Sequence, residues 1–486
     1  MTANATNLDS PVLLWFRKDL RLDDNLALNA AVASGHPVVA VYILEPKDSG
    51  NGPQGAAQGW WLHHSLEALS RSLDAKGVRL ILRRGDAKTE LTSIIDETGA
   101  YMVLWNRRYD PAGIAVDTAL KANLTERGLE VHTFAGQLLH EPSKLKTGSG
   151  THYKVYTPFW RALEASGEPS EPLDPPDNIH PPRSYPHSDT LSDWALLPTK
   201  PNWARTFSEI WEPGEQAALQ KLEDFIDKNV QDYKTRRDIP SVDGTSRMSP
   251  HLAMGEISPA RIWYATRGLV TDSDSADVIT YRKELVWREF SYHLLFHNPT
   301  LPSVNLNRKF DTFPWSGSDA EFTAWCHGRT GYPIVDAGMR QLWRHGYMHN
   351  RVRMITASFL IKDLLIDWRR GLDWFADTLV DADPASNAAS WQWVAGSGAD
   401  ASPFFRVFNP ILQGEKFDPD GTYVKTFIPE LANLDAKYVH RPFEAPASVL
   451  TKAGVTLSTT YPAPIVNHSM ARDRALDVFK TIKDAV

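Results

Sequence analysis

The stretch VLLWFRKDLRLDDN, from Val12 to Asn25, decides the fold of the first part of the chain. It opens with apolar, strand-forming residues and continues as a charged loop. Similar short apolar runs return at Val38–Leu44, Val78–Leu82, Tyr101–Trp105 and Leu129–Phe134. Helical stretches separate these runs, for example Trp60–Lys76 and Ala112–Arg127. Strands joined by crossover helices predict a doubly wound parallel five-stranded sheet, an α/β domain over residues 10–140.

The loop after the first predicted strand, FRKDLRLDDN, contains no glycine. Dinucleotide-binding folds place a G-x-G-x-x-G sequence there, because glycine lets the backbone approach a pyrophosphate closely. Its absence argues against a nicotinamide-dependent enzyme. It also argues against a nucleotide-binding enzyme built on the first domain alone.

A proline-rich segment follows the α/β pattern. Nine of the 35 residues from Gly167 to Pro201 are proline. Proline has a fixed φ and no backbone N–H, so neither regular helix nor strand is expected there. Residues 141–202 are therefore predicted to be a long interdomain linker.

From about Trp203 onward the pattern is helical. The pairs Ser249-Pro250 and Ser258-Pro259 each predict an N-cap followed by proline at the first helical position. Residues 203–486 are therefore predicted to form an all-α domain. This domain holds 11 of the 17 tryptophans, more indole than ordinary packing requires.

The composition excludes several classes of protein. The chain has 486 residues, of which 42% are hydrophobic and 23% charged, as in ordinary globular proteins. A net charge of −7 gives no overall attraction to nucleic acid, although a local basic patch is compatible with it. The single cysteine, Cys326, excludes an intrachain disulfide and is predicted to be buried. With neither a signal-peptide pattern nor a long apolar run, the chain is predicted to be cytoplasmic with no membrane partner.

The stretch DGTSRMS, from Asp243 to Ser249, offers three hydroxyls and a guanidinium just before a predicted helix. Hydroxyls, an arginine and backbone N–H groups at a helix start suit a phosphate group. An ordinary capping loop explains the same residues.

A second stretch places Glu284, Trp287 and Ser291 on one helical face. This face suits a flat heterocycle, but an amphipathic helix with a solvated carboxylate is an equal alternative.

The stretch from Arg340 to Arg353 contains four arginines and no acidic residue. On a chain that is acidic overall, it is a candidate patch for a nucleic-acid backbone. His345 and His349 are spaced like a metal-binding pair, but the H-E-x-x-H pattern is absent. No metal site is predicted.

The run DADPASNAASWQW, from Asp381 to Trp393, combines two aspartates, Asn387 and a pair of tryptophans. Metal binding would need further carboxylates or histidines nearby. Together the motifs share hydroxyl, Arg, Asn, Asp and Trp side chains, which suit a phosphate-bearing aromatic cofactor. No arrangement for acyl transfer stands out.

These residues closely resemble the photolyase/cryptochrome family across about residues 11–445. The matching stretches are WFRKDLRLDDN, YKVYTPFW, DGTSRMSPHLAMGEISP, LVWREF, GYPIVDAGMRQL, MHNRVRMITASFLIKDLLIDWR, the DAD…N…WQW run and FFRVFNPILQGEKFDP. The resemblance is greatest to the class III cyclobutane pyrimidine dimer photolyases. It implies an α/β antenna domain, a long linker and an all-helical domain that binds FAD.

The resemblance assigns FAD contacts to residues throughout the second domain. Arg353 would pair with Asp381, and Asn387 would lie beside flavin N5, where an amide tolerates a reduced anionic ring better than a carboxylate. Tyr281 stands where many relatives have tryptophan. The full predicted set is Tyr233, Thr245, Ser246, Arg247, Met248, Ser249, Tyr281, Glu284, Arg353, Asp381, Asp383 and Asn387.

The implied reaction is light-driven splitting of cyclobutane pyrimidine dimers in UV-damaged DNA, by electron transfer from excited reduced FAD. The residues predicted to act on the dimer are Glu284, Asn350, Met354, Trp287 and Trp393. In (6-4) photolyases the positions of Asn350 and Met354 are both histidine, so neither offers acid catalysis here. The predicted DNA contacts are Arg237, Trp287, Asn350, Arg351 and Arg406. A cryptochrome-type blue-light receptor is the alternative.

Trp391, Trp368 and Trp315 match the electron-hopping triad of the family, and Trp374 suggests a second branch. A second, antenna chromophore is expected, with 5,10-methenyltetrahydrofolate favoured over a deazaflavin because deazaflavin binders carry an acid near the position of Arg108. Glu45 is a candidate to bind the pterin. The resemblance also implies a monomer.

Overall fold

A computed structural model describes residues 9–46, 53, 55–270, 275–401 and 405–484. The first domain contains a five-stranded parallel sheet with the strand order β3-β2-β1-β4-β5. Its strands are β1 (Val12–Phe16), β2 (Val38–Leu44), β3 (Leu80–Arg84), β4 (Met102–Asn106) and β5 (Glu130–Phe134). The predicted doubly wound sheet is confirmed.

The central strands are apolar because both faces of the sheet are covered. Every residue of β1 and β2 is buried, and Val12 pairs with Val38 in their register. Strand β3 begins two residues later than Val78, the predicted first residue. The N–H group of Val78 instead donates to the carbonyl of Leu73, at the end of the preceding helix.

Polar side chains fix the starts of three helices in this domain. Asn25, Asp86 and Asp110 each accept a hydrogen bond from a backbone N–H group in the first turn. The helices are α1 (Leu26–Ala33), α2 (Ala56–Asp74), α3 (Ala87–Thr98) and α4 (Pro111–Glu126). The segment predicted as a linker also carries a helix, α5 (Tyr156–Ala165), and a 3-10 turn at Leu191–Trp194.

The second domain contains fifteen α-helices within its described residues. They are α6 (Glu215–Lys228), α7 (Tyr233–Arg236), α8 (Ser249–Met254), α9 (Pro259–Ala265), α10 (Ser275–His297), α11 (Asp319–Cys326), α12 (Pro333–His345), α13 (Asn350–Ser358), α14 (Trp368–Thr378), α15 (Pro384–Ala395), α16 (Pro410–Phe417), α17 (Thr422–Phe427), α18 (Ala436–Val439), α19 (Ala447–Ala453) and α20 (His468–Asp484). A π-helical turn spans Phe359–Asp363. Among the described residues, no helix combines the length and the apolar character needed to span a membrane. Cys326 is buried, as predicted.

One of the two predicted N-caps is wrong. Ser258 caps α9 by accepting a hydrogen bond from the Arg261 N–H group, as predicted. Ser249 is instead the first residue of α8, and the cap position is taken by Met248 without a side-chain bond. The Ser249 hydroxyl instead donates a hydrogen bond to the carboxylate of Asp381, on a distant segment, at 2.6 Å.

A buried carboxylate joins the two domains. Glu256 is fully buried and accepts hydrogen bonds from Trp61 Nε1 at 3.0 Å and from the hydroxyl of Ser65, both on α2. From the helical domain, the Gly214 N–H group lies 2.8 Å away and the His251 ring 2.5 Å away. Because a buried charge needs partners, these groups lock α2 against the second domain.

The charged loop after β1 docks beside this carboxylate. Arg21 donates to the carbonyl of Gly255 at 2.9 Å, and Asp23 pairs with Arg261 of α9. Glu215 of α6 accepts hydrogen bonds from the backbone N–H groups of Leu22 and Asp23. The loop that lacks a phosphate-binding glycine therefore serves as a contact between domains.

Replacing Gly255 by a residue with a Cβ atom should disrupt the contact between the charged loop and the helical domain. Gly255 has φ +69° and approaches the loop so closely that an added Cβ would lie 1.9 Å from the carbonyl oxygen of Lys18. We expect Gly255→Ala to lower the free energy of unfolding by at least about 2 kcal/mol, measured by urea denaturation. Gly35→Ala is the matched control, because Gly35 has φ +74° with no atom near the added Cβ. It should lose only about 1 kcal/mol, the conformational penalty alone. Equal losses would contradict this account of the interface.

Candidate functional site

In the helical domain, Asp381 lies in a cluster of polar side chains with Ser249 and Arg353, and we call this cluster the chamber. Asp381 lies just before α15, and its Oδ2 accepts hydrogen bonds from the Ser249 hydroxyl at 2.6 Å and from Arg353 at 2.8 Å. Arg353 also donates to the carbonyl of Met348 at 2.7 Å and lies over the ring of Tyr347. Burial disfavours the Arg353 charge, but Asp381 and Tyr347 outweigh it and raise the pKa of Arg353.

The second aspartate, Asp383, begins α15. Its Oδ1 caps the helix by accepting from the Ser386 N–H group at 2.7 Å, and its Oδ2 accepts from the Tyr292 hydroxyl at 2.6 Å. Burial and the neighbouring Asp383 charge raise the pKa of Tyr292, which therefore stays a hydrogen-bond donor. Both carboxylate oxygens of Asp383 already have protein partners.

Other residues predicted to contact FAD lie on α7, on α10, on α15 and in the loop before α8. Tyr233 and Tyr281 are buried and pack edge to face, with ring centroids 5.3 Å apart. Asn387 donates to the carbonyl of Leu372 at 3.1 Å. Arg247 adopts φ +51° and lies 3.0 Å from Asp243, in the loop that also carries Thr245, Ser246 and Met248.

The chamber has a feature that suits the N–H edge of a flavin ring. Asp381 Oδ1 is buried and has no hydrogen-bond partner among the described residues, while Oδ2 has two. A buried carboxylate oxygen without a donor is unfavourable, so the site is completed by a ligand that supplies an N–H group. The Ser249 hydroxyl joins the 245–249 loop, which also carries two further hydroxyls and a guanidinium, to Asp381. The residues present therefore fit FAD.

Glu284 and Trp287 lie one turn apart on α10. The Glu284 carboxylate accepts a hydrogen bond from Arg237, and this pairing raises the pKa of Arg237 against the opposing effect of its burial. Trp287 is 36% exposed, which is unusual for so large an apolar side chain. Arg237, predicted as a DNA contact, thus holds Glu284 in place.

The start of α13 carries Asn350 and Met354. Asn350 is exposed, whereas the preceding residue, His349, is buried and accepts a hydrogen bond from the Arg351 N–H group. Burial lowers the pKa of His349 to about 4. Arg351 pairs with Asp238 at 2.8 Å. The side chain available at the surface here is an amide, and the adjacent imidazole is neutral at pH 7.

The predicted arginine patch is largely neutralised. Arg340 pairs with Glu430 at 2.7 Å, and Arg351 and Arg353 pair with Asp238 and Asp381. The stretch from Arg340 to Arg353 is free of acids in sequence, but distant segments supply acids to three of its four arginines. An acid-free stretch of sequence therefore does not give an acid-free surface, because distant segments pair with three of its arginines. The predicted contact with a nucleic-acid backbone stays a prediction.

A buried lysine supports the segment that contains Arg406. Lys362, in the π-helical turn, donates to the Arg406 carbonyl and lies 4.6 Å from the centroid of the Phe405 ring. Lys362, Arg406 and Trp393 line the same small cavity. Burial lowers the pKa of Lys362 to about 7. The motif FLIKDL carries no signal from which this position could be predicted.

Trp391 and Trp368 belong to one buried cluster, against which Trp315 packs. Trp391 and Trp368 are 2% and 0% exposed, and Trp315 is only partly buried. The Trp368 indole donates to Asn305 at 3.0 Å. On another side, Trp374 stacks on Trp343, whose ring is 52% exposed. Trp374 packs against the same buried cluster as Trp391 and Trp368, so the Trp374–Trp343 pair links this cluster to an exposed tryptophan.

The candidate antenna residue Glu45 lies directly after β2 and is 5% exposed. Arg108, at the carboxyl edge of the same sheet, is paired with Asp110 at 2.8 Å. Both residues lie on the side of the sheet that the charged loop after β1 also occupies. Residues 47–52, which follow Glu45, lie outside the described part of the chain.

The parallel sheet, the docked helical domain and the chamber around Asp381 define a two-domain flavin-binding protein. The profile described as "FAD binding domain of DNA photolyase" matches residues 281–481, and that of "DNA photolyase" matches residues 12–177. A deoxyribodipyrimidine photo-lyase from Agrobacterium fabrum is 63% identical over 98% of both chains. The chain belongs to the photolyase/cryptochrome family.

Two further relatives are a photolyase and a cryptochrome. The crystal structure of a class III photolyase from Agrobacterium tumefaciens superposes with a TM-score of 0.96, at 62% identity over 100% of both chains. Cryptochrome-1 from Arabidopsis thaliana is 36% identical over 95% of this chain and 69% of its own. The predicted family and its class III branch are confirmed.

The lowered pKa of Lys362 should make stability depend on pH. Between pH 7 and 10 the unfolded chain binds the lysine proton and the folded chain releases it, so the free energy of unfolding rises with pH. With the pKa of Lys362 at about 7 in the folded chain, we expect a gain on the order of 2 kcal/mol between pH 7 and 9, measured by urea denaturation.

Lys362→Met should remove this part of the pH dependence, whereas the exposed Lys452→Met should keep it. A Lys362→Met protein with the wild-type pH dependence would show that this ammonium group titrates normally.

Proposed function

We propose that the protein is a light-dependent DNA repair enzyme, a deoxyribodipyrimidine photo-lyase that splits cyclobutane pyrimidine dimers. The proposal rests on one observation: Asn350 is exposed, whereas the neighbouring His349 is buried and neutral. Repair of a (6-4) lesion needs an acid at this place, and the structure offers an amide instead. The relative that is 63% identical is named for the same photo-lyase activity.

FAD would be held by the chamber around Asp381. When bound, it supplies an electron donor that is excited by light. Asp381 Oδ1 would accept an N–H group of the ring, and Arg353 would keep this carboxylate charged and oriented. Ser249 and the loop of Thr245, Ser246, Arg247 and Met248 would hold the phosphates and ribityl chain, with Tyr233, Tyr281, Glu284, Asp383 and Asn387 completing the pocket.

The dimer would be bound in extrahelical form between aromatic side chains. Flipping is least costly for a damaged base pair, because its stacking is already weakened. Trp287 and Trp393 would pack against the two pyrimidines, and Met354 would fill the space beside them. Glu284, fixed by Arg237, and Asn350 would hydrogen-bond the pyrimidine edges. These bonds would stabilise the negative charge that develops as the cyclobutane ring opens.

DNA would approach the surface that contains Asn350 and Trp287, with Arg351 and Arg406 as phosphate contacts. Arg406 is exposed, whereas Arg351 is shared with Asp238. Binding would therefore rest on fewer phosphate contacts than the arginine-rich sequence indicates. We further propose a cytoplasmic monomer, since a lone buried cysteine suits a reducing compartment.

A folate, 5,10-methenyltetrahydrofolate, is our proposal for the antenna chromophore. The buried carboxylate of Glu45 would accept N–H groups of the pterin. The cationic Arg108, where deazaflavin binders have an acid, favours the folate over that ligand.

Repair can be tested with a duplex oligonucleotide that contains one defined thymine dimer. Pre-reduced protein should restore the undamaged sequence under near-ultraviolet or blue light, measured by chromatography of the digested DNA. It should leave the duplex unchanged in the dark and leave a (6-4) lesion unrepaired under light. Light-independent activity, or repair of the (6-4) lesion alone, would contradict the proposal. Binding of FAD without any repair would favour the receptor function.

Trp368→Phe should slow the light-driven reduction of oxidised bound flavin, because the route from Trp391 through Trp368 to Trp315 loses its middle carrier. Repair by chemically pre-reduced protein should be unaffected, since that reaction needs no external electron. Absorption spectra during illumination measure the first effect and the dimer assay measures the second. Trp105→Phe, fully buried in the α/β domain, is the control for a remote loss of packing. Unchanged photoreduction in Trp368→Phe would assign electron flow to Trp374 and Trp343.

A further inference from the structure

The indole of Trp287, one wall of the proposed dimer pocket, is supported from behind by a residue of the linker. Tyr156, the first residue of α5, stacks on it with ring centroids 3.6 Å apart and an angle of 6° between the planes. Trp287 is nevertheless 36% exposed. The linker segment thus contributes directly to the pocket.

Tyr156 is itself held rigidly. It is 8% exposed, and its hydroxyl donates to the carbonyl of Lys283 at 2.9 Å, one turn before Trp287 on α10. The edge of Phe290 packs against its ring, with centroids 5.9 Å apart. Because the ring is fixed at both its face and its hydroxyl, Trp287 cannot tilt backward without displacing α5.

The second proposed wall of the dimer pocket, Trp393, is hydrogen-bonded to Asp400. The Trp393 indole N–H group donates to the backbone carbonyl of Asp400 at 3.2 Å. The side chain of the same residue reaches the linker helix, because Asp400 Oδ2 accepts from the backbone N–H group of Tyr156 at 3.3 Å. Asp400 therefore contacts one indole, Trp393, directly and also contacts Tyr156, the support of the other.

Two features indicate that this bridge is specific. Val155, at the cap position of α5, provides no side-chain hydrogen bond, so Asp400 supplies from a distant segment the acceptor that this helix start lacks. Asp400 also adopts φ +54°, a left-handed conformation that asparagine and aspartate tolerate better than other residues with a Cβ atom. Strain of this kind is retained where surrounding contacts require it.

We propose that Asp400 and Tyr156 are positioning residues that set the spacing of Trp287 and Trp393 and so select a pyrimidine dimer over undamaged bases. The inference rests on the proposed dimer-splitting function. Neither residue is placed in contact with the dimer. Their loss should therefore weaken recognition of the lesion while the phosphate contacts, which bind any DNA, are preserved.

Three substitutions of Asp400 separate its carboxylate from its backbone conformation. Asp400→Ala loses both the acceptor and the tolerance of positive φ, and Asp400→Gly regains the conformation without the acceptor. Asp400→Asn keeps both the conformation and an oxygen acceptor. We expect the Kd for dimer-containing duplex to rise about tenfold in the alanine and glycine variants and to recover most of that loss in the asparagine variant.

Tyr156 provides a second, independent series. Tyr156→Leu removes the stack and should raise the Kd for the dimer about as much as Asp400→Ala does. Tyr156→Phe keeps the stack and should have the smaller effect. The double variant Asp400→Ala/Tyr156→Leu should lose less than the sum of the single losses, because both act through one bridge.

The readout is fluorescence titration of matched duplexes with and without one thymine dimer, using protein with its FAD bound. Affinity for undamaged duplex should stay unchanged in every variant, and the FAD content checks folding. If Asp400→Ala fails to fold, the glycine and Tyr156 variants carry the test. Equal losses for both duplexes, or no loss for the dimer, would overturn the inference although wild-type protein repairs dimers. If wild-type protein shows no preference for the dimer, the proposed function fails and the inference fails with it.

Discussion

Burial of the Glu256 carboxylate between the two domains is the constraint on which the remaining structure depends. An uncompensated charge at this depth would cost several kcal/mol, so its partners on both sides must be in place together. Those partners come from α2 of the α/β domain and from Gly214 and His251 of the helical domain. The charged loop after β1 packs alongside and occupies the place where a dinucleotide would bind in other doubly wound folds. Because this position in the α/β domain is occupied, the proposed flavin site lies in the helical domain.

The short helix α8 transmits this docking to the site. Glu256 follows its last turn, and Ser249 at its first turn donates to Asp381. Asp381 in turn fixes Arg353 on α13, the helix that begins with Asn350. The helices α8 and α13, joined by hydrogen bonds through Asp381, thus connect the domain interface to the proposed flavin and dimer positions. The side chains that would contact the substrate are ordered by contacts made far from it.

Local patterns in the sequence were sufficient to predict the fold. They were insufficient to predict which charged and polar side chains pair with each other. The strands could be predicted because both faces of the sheet are buried, which makes their sequences uniformly apolar. The pairing of Arg340 with Glu430, and the diversion of Ser249 from capping to Asp381, join segments separated by 90 and 132 residues. Tyr156 and Asp400 were missed for the same reason, since 244 residues separate them. Family resemblance identified the candidate site residues, but only the structure shows which of them already have partners.

The central claim is that a bound reduced flavin in this site drives the splitting of the dimer with light. The most direct test is the action spectrum of repair, the rate of dimer loss per incident photon as a function of wavelength. The action spectrum should follow the absorption of the reduced flavin together with that of any bound antenna chromophore. A spectrum that follows oxidised flavin, or a rate independent of wavelength and light, would contradict it.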